Sequence, residues 1–172
     1  MNKVCISIML TILFVALSLA VLRAQDDPKK DTKHDPDLLA NKLITQCARV
    51  KNGDLVRISG GVRDVKLLES LKVEAEKLGA DTLVTLSPSD RTVRRLYTDV
   101  PAKFDSRTSP IGLKLAETVT VMVTIDIDST ESQAVLADIP ADRVNARTEA
   151  NLKILETELK RNVRQILLLR DY

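Results

Sequence analysis

Asp126 and Asp128 stand two residues apart in a run that alternates apolar and polar side chains. If that run is extended, both carboxylates face the same way. They fall at the carboxyl end of a strand, where α/β sheets bind ligands. Such a pair could hold magnesium or calcium weakly, or could cap the helix that follows. No histidine or cysteine accompanies them, which argues against a transition metal. The second candidate is Ile58-Ser59-Gly60-Gly61-Val62, where a strand gives way to a helix. Backbone N–H groups at a helix start can hold an anion. Gly60 and Gly61 read equally as a tight turn, and neither the dinucleotide fingerprint nor the Walker lysine pattern is present. The ligand-facing candidates are therefore Gly60, Gly61, Asp126 and Asp128, each with a structural alternative. No catalytic residue and no metal ligand is assigned. His34 is the sole histidine and lies in a polar tether, so no serine–histidine or cysteine–histidine set exists. Cys47 reads as a small buried hydrophobe on the apolar side of a helix.

The elements that must position these residues follow from periodicity and stop signals. Asp35-Pro36 opens a helix with a capping acid and a proline at the first turn. Leu39, Leu43, Cys47 and Val50 give it one apolar face, and Gly53 ends it. Leu55–Ser59 is a short strand. Leu68, Leu71, Ala75 and Leu78 mark the buried face of the next helix, which Gly79 stops. Thr82–Leu86 is a second strand. Asp90–Asp99 and Gly112–Glu117 read as helices around a loop bounded by Pro101 and Pro110. Thr118–Ile127 is the clearest strand, with β-branched residues at period two. Asp128-Ser129-Thr130-Glu131 caps a short helix. A longer helix runs from Pro140 to Arg161, with Val144, Leu152, Leu155 and Leu159 turned inward. Val163–Leu169 is a last strand, and its unbroken run Ile166-Leu167-Leu168-Leu169 predicts burial on both faces. Strands separated by helices imply parallel crossovers. The expected fold is a three-layer, Rossmann-like α/β domain over residues 36–172, with a mostly parallel sheet of about four strands.

The two ends and the composition bound the rest. Residues 1–24 have a short basic start, an apolar stretch Val4–Leu22 and a small residue, Ala24, before polar sequence. This is the layout of a cleaved secretory signal, and an uncleaved anchor is the alternative. Basic residues after the stretch outnumber those before it, which disfavours the anchor. Export to the periplasm or exterior is expected, with no stable membrane anchor after cleavage. Residues 25–35 are a polar, disordered tether. Residues 1–24 hold Lys3 and Arg23 and no acid, so the remainder carries 24 basic and 24 acidic residues. With no net charge and only Tyr97, Phe104 and Tyr172 as aromatics, that remainder has neither the basic stripe nor the stacking platforms of a nucleic-acid binder. Cys47 alone cannot form an internal disulfide, so the domain relies on its core.

The order helix, glycine stop, strand, double glycine, helix, glycine stop, strand carries a resemblance. Val50, Lys51, Gly53, Asp54, Val56, Ile58 and Gly60, followed by Glu74, Ala75, Gly79 and Ala80, are similar to the opening of the thermophilic-type metallo-aminopeptidases, the AmpS/aminopeptidase T family. Ile127-Asp128-Ser129-Thr130-Glu131 and Ala137-Asp138-Ile139-Pro140-Ala141-Asp142-Arg143 resemble that family's later strand, acidic turn and helix start. The likeness runs from about Leu38 to Leu169. It implies the amino-terminal, non-catalytic domain, or a truncated form, of a secreted aminopeptidase. Relatives of full length remove amino-terminal residues from peptides with two divalent metals, zinc or cobalt. This chain has no counterpart of their metal ligands, so no cofactor is expected in it. The implied partner is a catalytic domain, or a second copy through residues 163–169. The alternative is a stand-alone exported module that binds a ligand or another protein.

Overall fold

A computed structural model describes residues 35–126 and 134–169. The elements run in this order: α1 (Pro36–Lys42), continued by a π-helical turn over Leu43–Cys47; β1 (Leu55–Gly60); α2 (Val65–Lys77); β2 (Asp81–Leu86); α3 (Asp90–Thr98); α4 (Pro110–Thr118); β3 (Val121–Asp126); α5 (Ala141–Lys160); and β4 (Arg164–Leu169). The four strands form one sheet in the order β2-β1-β3-β4, with every neighbouring pair parallel. The α/β, Rossmann-like fold expected from the sequence is therefore present. The acidic turn after β3 and residues 1–34 lie outside the described residues, as do the expected leader and most of the tether.

Register explains which side chains form the core. Val56 pairs with Val121 and Ile58 with Val123, while Val123 pairs with Ile166. Their side chains share one face of the sheet, because successive residues of a strand alternate. Ala40, Leu43 and Ile44 come down on that face with Leu67, Leu68, Leu71 and Ala75 of α2, making one buried cluster. Ser89 and Ser109 begin α3 and α4 by accepting from the backbone N–H groups of Thr92 and Gly112. Gly79 stops α2 at φ +81°, and a Cβ there would sit 2.6 Å from Asn52 Oδ1. Both facts require glycine.

The opposite face carries α5. Arg57 points there, and its Nη1 lies 3.8 Å from Oε1 of the buried Glu158 near the end of α5. Arg161 ties α4 to the same helix by donating Nη1 to the carbonyls of Ala116 and Val119, at 2.8 and 2.7 Å.

A second clasp closes the amino-terminal end of the sheet. Arg164 donates Nη2 to Asp54 Oδ2 at 2.6 Å and Nη1 to the carbonyls of Ala48 and Arg49. Thr120 donates Oγ1 to Asp54 Oδ1 at 2.9 Å, and the Lys51 N–H donates to Oδ2 at 2.7 Å. These bonds join β4, β3 and the entrance to β1. Burial pushes the Asp54 carboxyl up, but Arg164, the Lys51 N–H and Thr120 outweigh it and hold it below the usual range.

These expectations need correction. Cys47 is exposed, not buried. The first helix buries Ala40, Leu43, Ile44 and Ala48, a face one position away from Leu39 and Cys47. Small alanines let that helix lie close to its neighbours, so its inward face is not the one that the larger side chains mark. Leu152, Leu155 and Leu159 of α5 are exposed at 45, 44 and 62%, not turned inward. The inward face carries Ala150, Ile154 and Glu158. The strand β4 is not buried on both faces. Ile166 and Leu168 are half-buried, while Leu167 and Leu169 are exposed, because β4 is an edge strand with helices covering only one side of it well. The third strand also starts later than expected, at Val121, because Thr118 still belongs to α4.

Candidate functional site

The strand order reverses between β1 and β3. From β1 the chain crosses to β2 on one side, then returns past β1 to β3 on the other. The crevice outside the carboxyl ends of these two strands is where open α/β sheets place ligands. Gly60 ends β1, and Gly61 follows it with φ −79° and ψ 171°. Asp126 ends β3. Ser59 pairs with Thr124, so the two strand ends lie side by side. The fold thus brings the backbones of Gly60, Gly61 and Asp126 close together. Asp128 lies outside the described residues.

The chemistry at this crevice is mostly accounted for by packing. A Cβ on Gly60 would lie 3.0 Å from Leu68 Cδ2 and 3.2 Å from Ile125 Cβ. Gly60 is glycine because α2 and β3 press on it. Its carbonyl accepts from the Ser87 N–H at 2.8 Å, which holds the segment leaving β2 against the end of β1. The hydroxyls of Ser59 and Thr124 bond each other at 3.1 Å. A one-turn 3₁₀ segment, Val62–Asp64, leads into α2, and the Asp64 carboxyl is buried at the start of that helix.

The ionic cluster with the densest bonding lies elsewhere, and the sequence reading missed it. Asp105 is 3% exposed. Its Oδ2 accepts from Arg143 Nε at 2.6 Å, and its Oδ1 accepts from Arg147 Nε at 2.7 Å and Arg143 Nη2 at 3.1 Å. Arg143 also donates Nη1 to the Tyr97 carbonyl and Nη2 to the Val100 carbonyl. Arg147 donates Nη2 to the Leu96 carbonyl at 2.8 Å. Both guanidinium groups sit over the Tyr97 ring, 5.8 and 4.8 Å from its centre. Hydrogen bonds from Arg143 hold the Asp105 carboxyl below the usual range against the opposing effect of burial, with Arg147 assisting. Asp105 in turn raises Arg143. The cluster pins the irregular segment before α4 onto α5. Its carboxylate already accepts three charge-assisted bonds, so it works as a fastener rather than as an acid or base. One signal could have found it: Arg143 and Arg147 stand four apart on one helix face and need a buried acid.

Among the described residues no group of three or more His, Cys, Asp or Glu side chains is placed to hold a metal ion. No helix among them is long and apolar enough to cross a membrane.

No protein-family model matches the chain, and no curated protein matches it in sequence. Among solved structures, the fold is similar to wild-type AmpT (aminopeptidase T) from Thermus thermophilus, with a TM-score of 0.61 and 14% identity. The match covers 81% of this chain and 36% of that one, so the chain spans about a third of the length of the structure it resembles. At this identity the likeness establishes a shared fold.

Proposed function

We propose that this chain serves as a non-catalytic α/β domain of the kind that opens a metal-dependent aminopeptidase, exported and acting through contacts rather than chemistry. The observation that carries this reading is the fold match to aminopeptidase T, which spans most of this chain but little more than a third of that enzyme. The family motif residues support it, because they have structural duties here. Asp54 anchors the clasp with Arg164, Gly60 admits Leu68 and Ile125, and Gly79 ends α2. In this reading the whole enzyme's peptide hydrolysis, and its divalent metals, belong to the part of that structure outside the match.

The test is a hydrolysis assay on the purified chain with aminoacyl chromogenic substrates and added zinc or cobalt. The expected result is no turnover above the metal-only blank. Turnover that follows the protein through purification would overturn the proposal.

A further inference from the structure

Helix α5 turns Ala150, Ile154 and Glu158 inward and carries a separate apolar stripe on its outward side. At about 100° per residue, Leu152, Leu155 and Leu159 lie roughly 200°, 140° and 180° around the helix from the buried Ala150. They form an outward stripe with spacing of three and four residues, each between 44 and 62% exposed. Such a stripe is the seam of a helix pair. A helix that is exposed needs no second apolar face for its own fold.

Charge selects the occupant. Beside the stripe stand Glu149, Lys153, Glu156 and Lys160, all exposed. Acid and base alternate there at spacings of four, three and four. Reversing the order turns acid, base, acid, base into base, acid, base, acid. A second α5 laid antiparallel by a two-fold axis therefore sets Glu149 against Lys160 and Lys153 against Glu156. The same alignment places Leu152 between Leu155 and Leu159 of the other copy, as interlocking helices require. Within one chain the only bond among these four charges is Lys160 to Glu156 at 3.8 Å, between side chains 78 and 61% exposed. Little is lost by exchanging it for a contact across the axis.

We infer that this protein forms a two-fold dimer through antiparallel packing of α5 against α5 of a second copy, with the leucine stripe as its centre and the alternating charges setting its register. The contact is isologous, so each substitution acts twice. This inference stands on α5 alone and is independent of the aminopeptidase reading.

The test is sedimentation velocity of the full chain over a wide concentration range, with circular dichroism as the check on folding. Wild type is expected to be dimeric. Leu155→Glu, on a surface that is exposed in the single chain, should remain folded and sediment as a monomer. Lys153→Glu or Glu156→Lys alone sets like charges together and should weaken the dimer at least about tenfold. The double exchange Lys153→Glu with Glu156→Lys restores opposite charges and should return the affinity to within a few-fold of wild type. Leu167→Lys, on the exposed side of β4, should leave the dimer intact. A monomeric wild type, association unaffected by Leu155→Glu, failure of the double exchange to recover affinity, or loss of association in Leu167→Lys would each overturn the proposal. The last of these would make the β4 edge the interface.

Discussion

Replacing Asp105 with alanine is expected to lower the melting temperature by on the order of 10 °C, among the largest effects of any single polar substitution in the chain. The change takes from Arg143 and Arg147 the one carboxylate that bonds them both in a half-buried site, and breaking such a pair costs more than the intact pair was worth. The segment that contributes the Leu96, Tyr97 and Val100 carbonyls should loosen from α5 and exchange its amide protons faster. The control removes all three charges together, with Asp105→Leu, Arg143→Met and Arg147→Met. That triple variant should be more stable than Asp105→Ala alone, because no unpaired charge remains. Similar losses in both would mean that packing, not charge, accounts for the cluster.

The same carboxylates fix the acid limit of stability. Asp54 and Asp105 both have lowered values in the folded chain. A depressed acid contributes stability that is fully present above its unfolded value, about 3.9, and is lost as pH falls through the folded value. Unfolding midpoints should therefore hold steady above about pH 5 and fall steeply below about pH 4. In Asp105→Ala the fall should be shallower, since the Asp105 carboxyl no longer titrates.

Gly60→Val is expected to destabilise the fold by about 3 kcal/mol, and Gly60→Ala by about 1 kcal/mol, through over-packing. The added carbon meets Ile125 Cβ, which is fixed to the central strand and cannot swing aside. Leu68 Cδ2, at the far end of its side chain, can yield in part. Urea unfolding checks this, and the slope of the transition should not change. If both variants keep wild-type stability, the glycine is not there for packing, and a ligand approaching the end of β1 becomes its better explanation.

Much of the fold was legible because its signals are local. Glycine stops, a proline at a first helical turn and β-branched alternation from Val121 to Ile125 each act within a few residues. They located the first three strands, the apolar run Ile166–Leu169 located the last, and parallel pairing followed from the long returns between them. The inward face of α5 was not legible. Its leucines repeat at helical spacing, and burial normally follows leucine. Here Arg143 and Arg147 are drawn to Asp105, and Glu158 lies near Arg57 and Gln165, so polar contacts and Ile154 set the inward face and the leucines are left outside. The pairing of Asp105 with Arg143 spans 38 residues, which no local period can reveal. Cys47 was misplaced for a related reason. The buried face there is set by Ala40 and Ala48, whose small size matters only once α2 lies beside them. At the crevice, the spacing of the glycines located the end of β1 but could not say that Leu68 and Ile125 crowd it.

The crevice and the likeness to aminopeptidase T depend on the order of the four strands, and methyl-group nuclear Overhauser contacts test it most directly. The structure predicts contacts from Val56 to Val121, from Ile58 to Val123 and to Val84, and from Val123 to Ile166. Contacts from Val84 to Val123 or to Ile166 in place of Ile58, or an antiparallel pattern between β1 and β3, would contradict the order β2-β1-β3-β4, and with it the crevice and the likeness to aminopeptidase T.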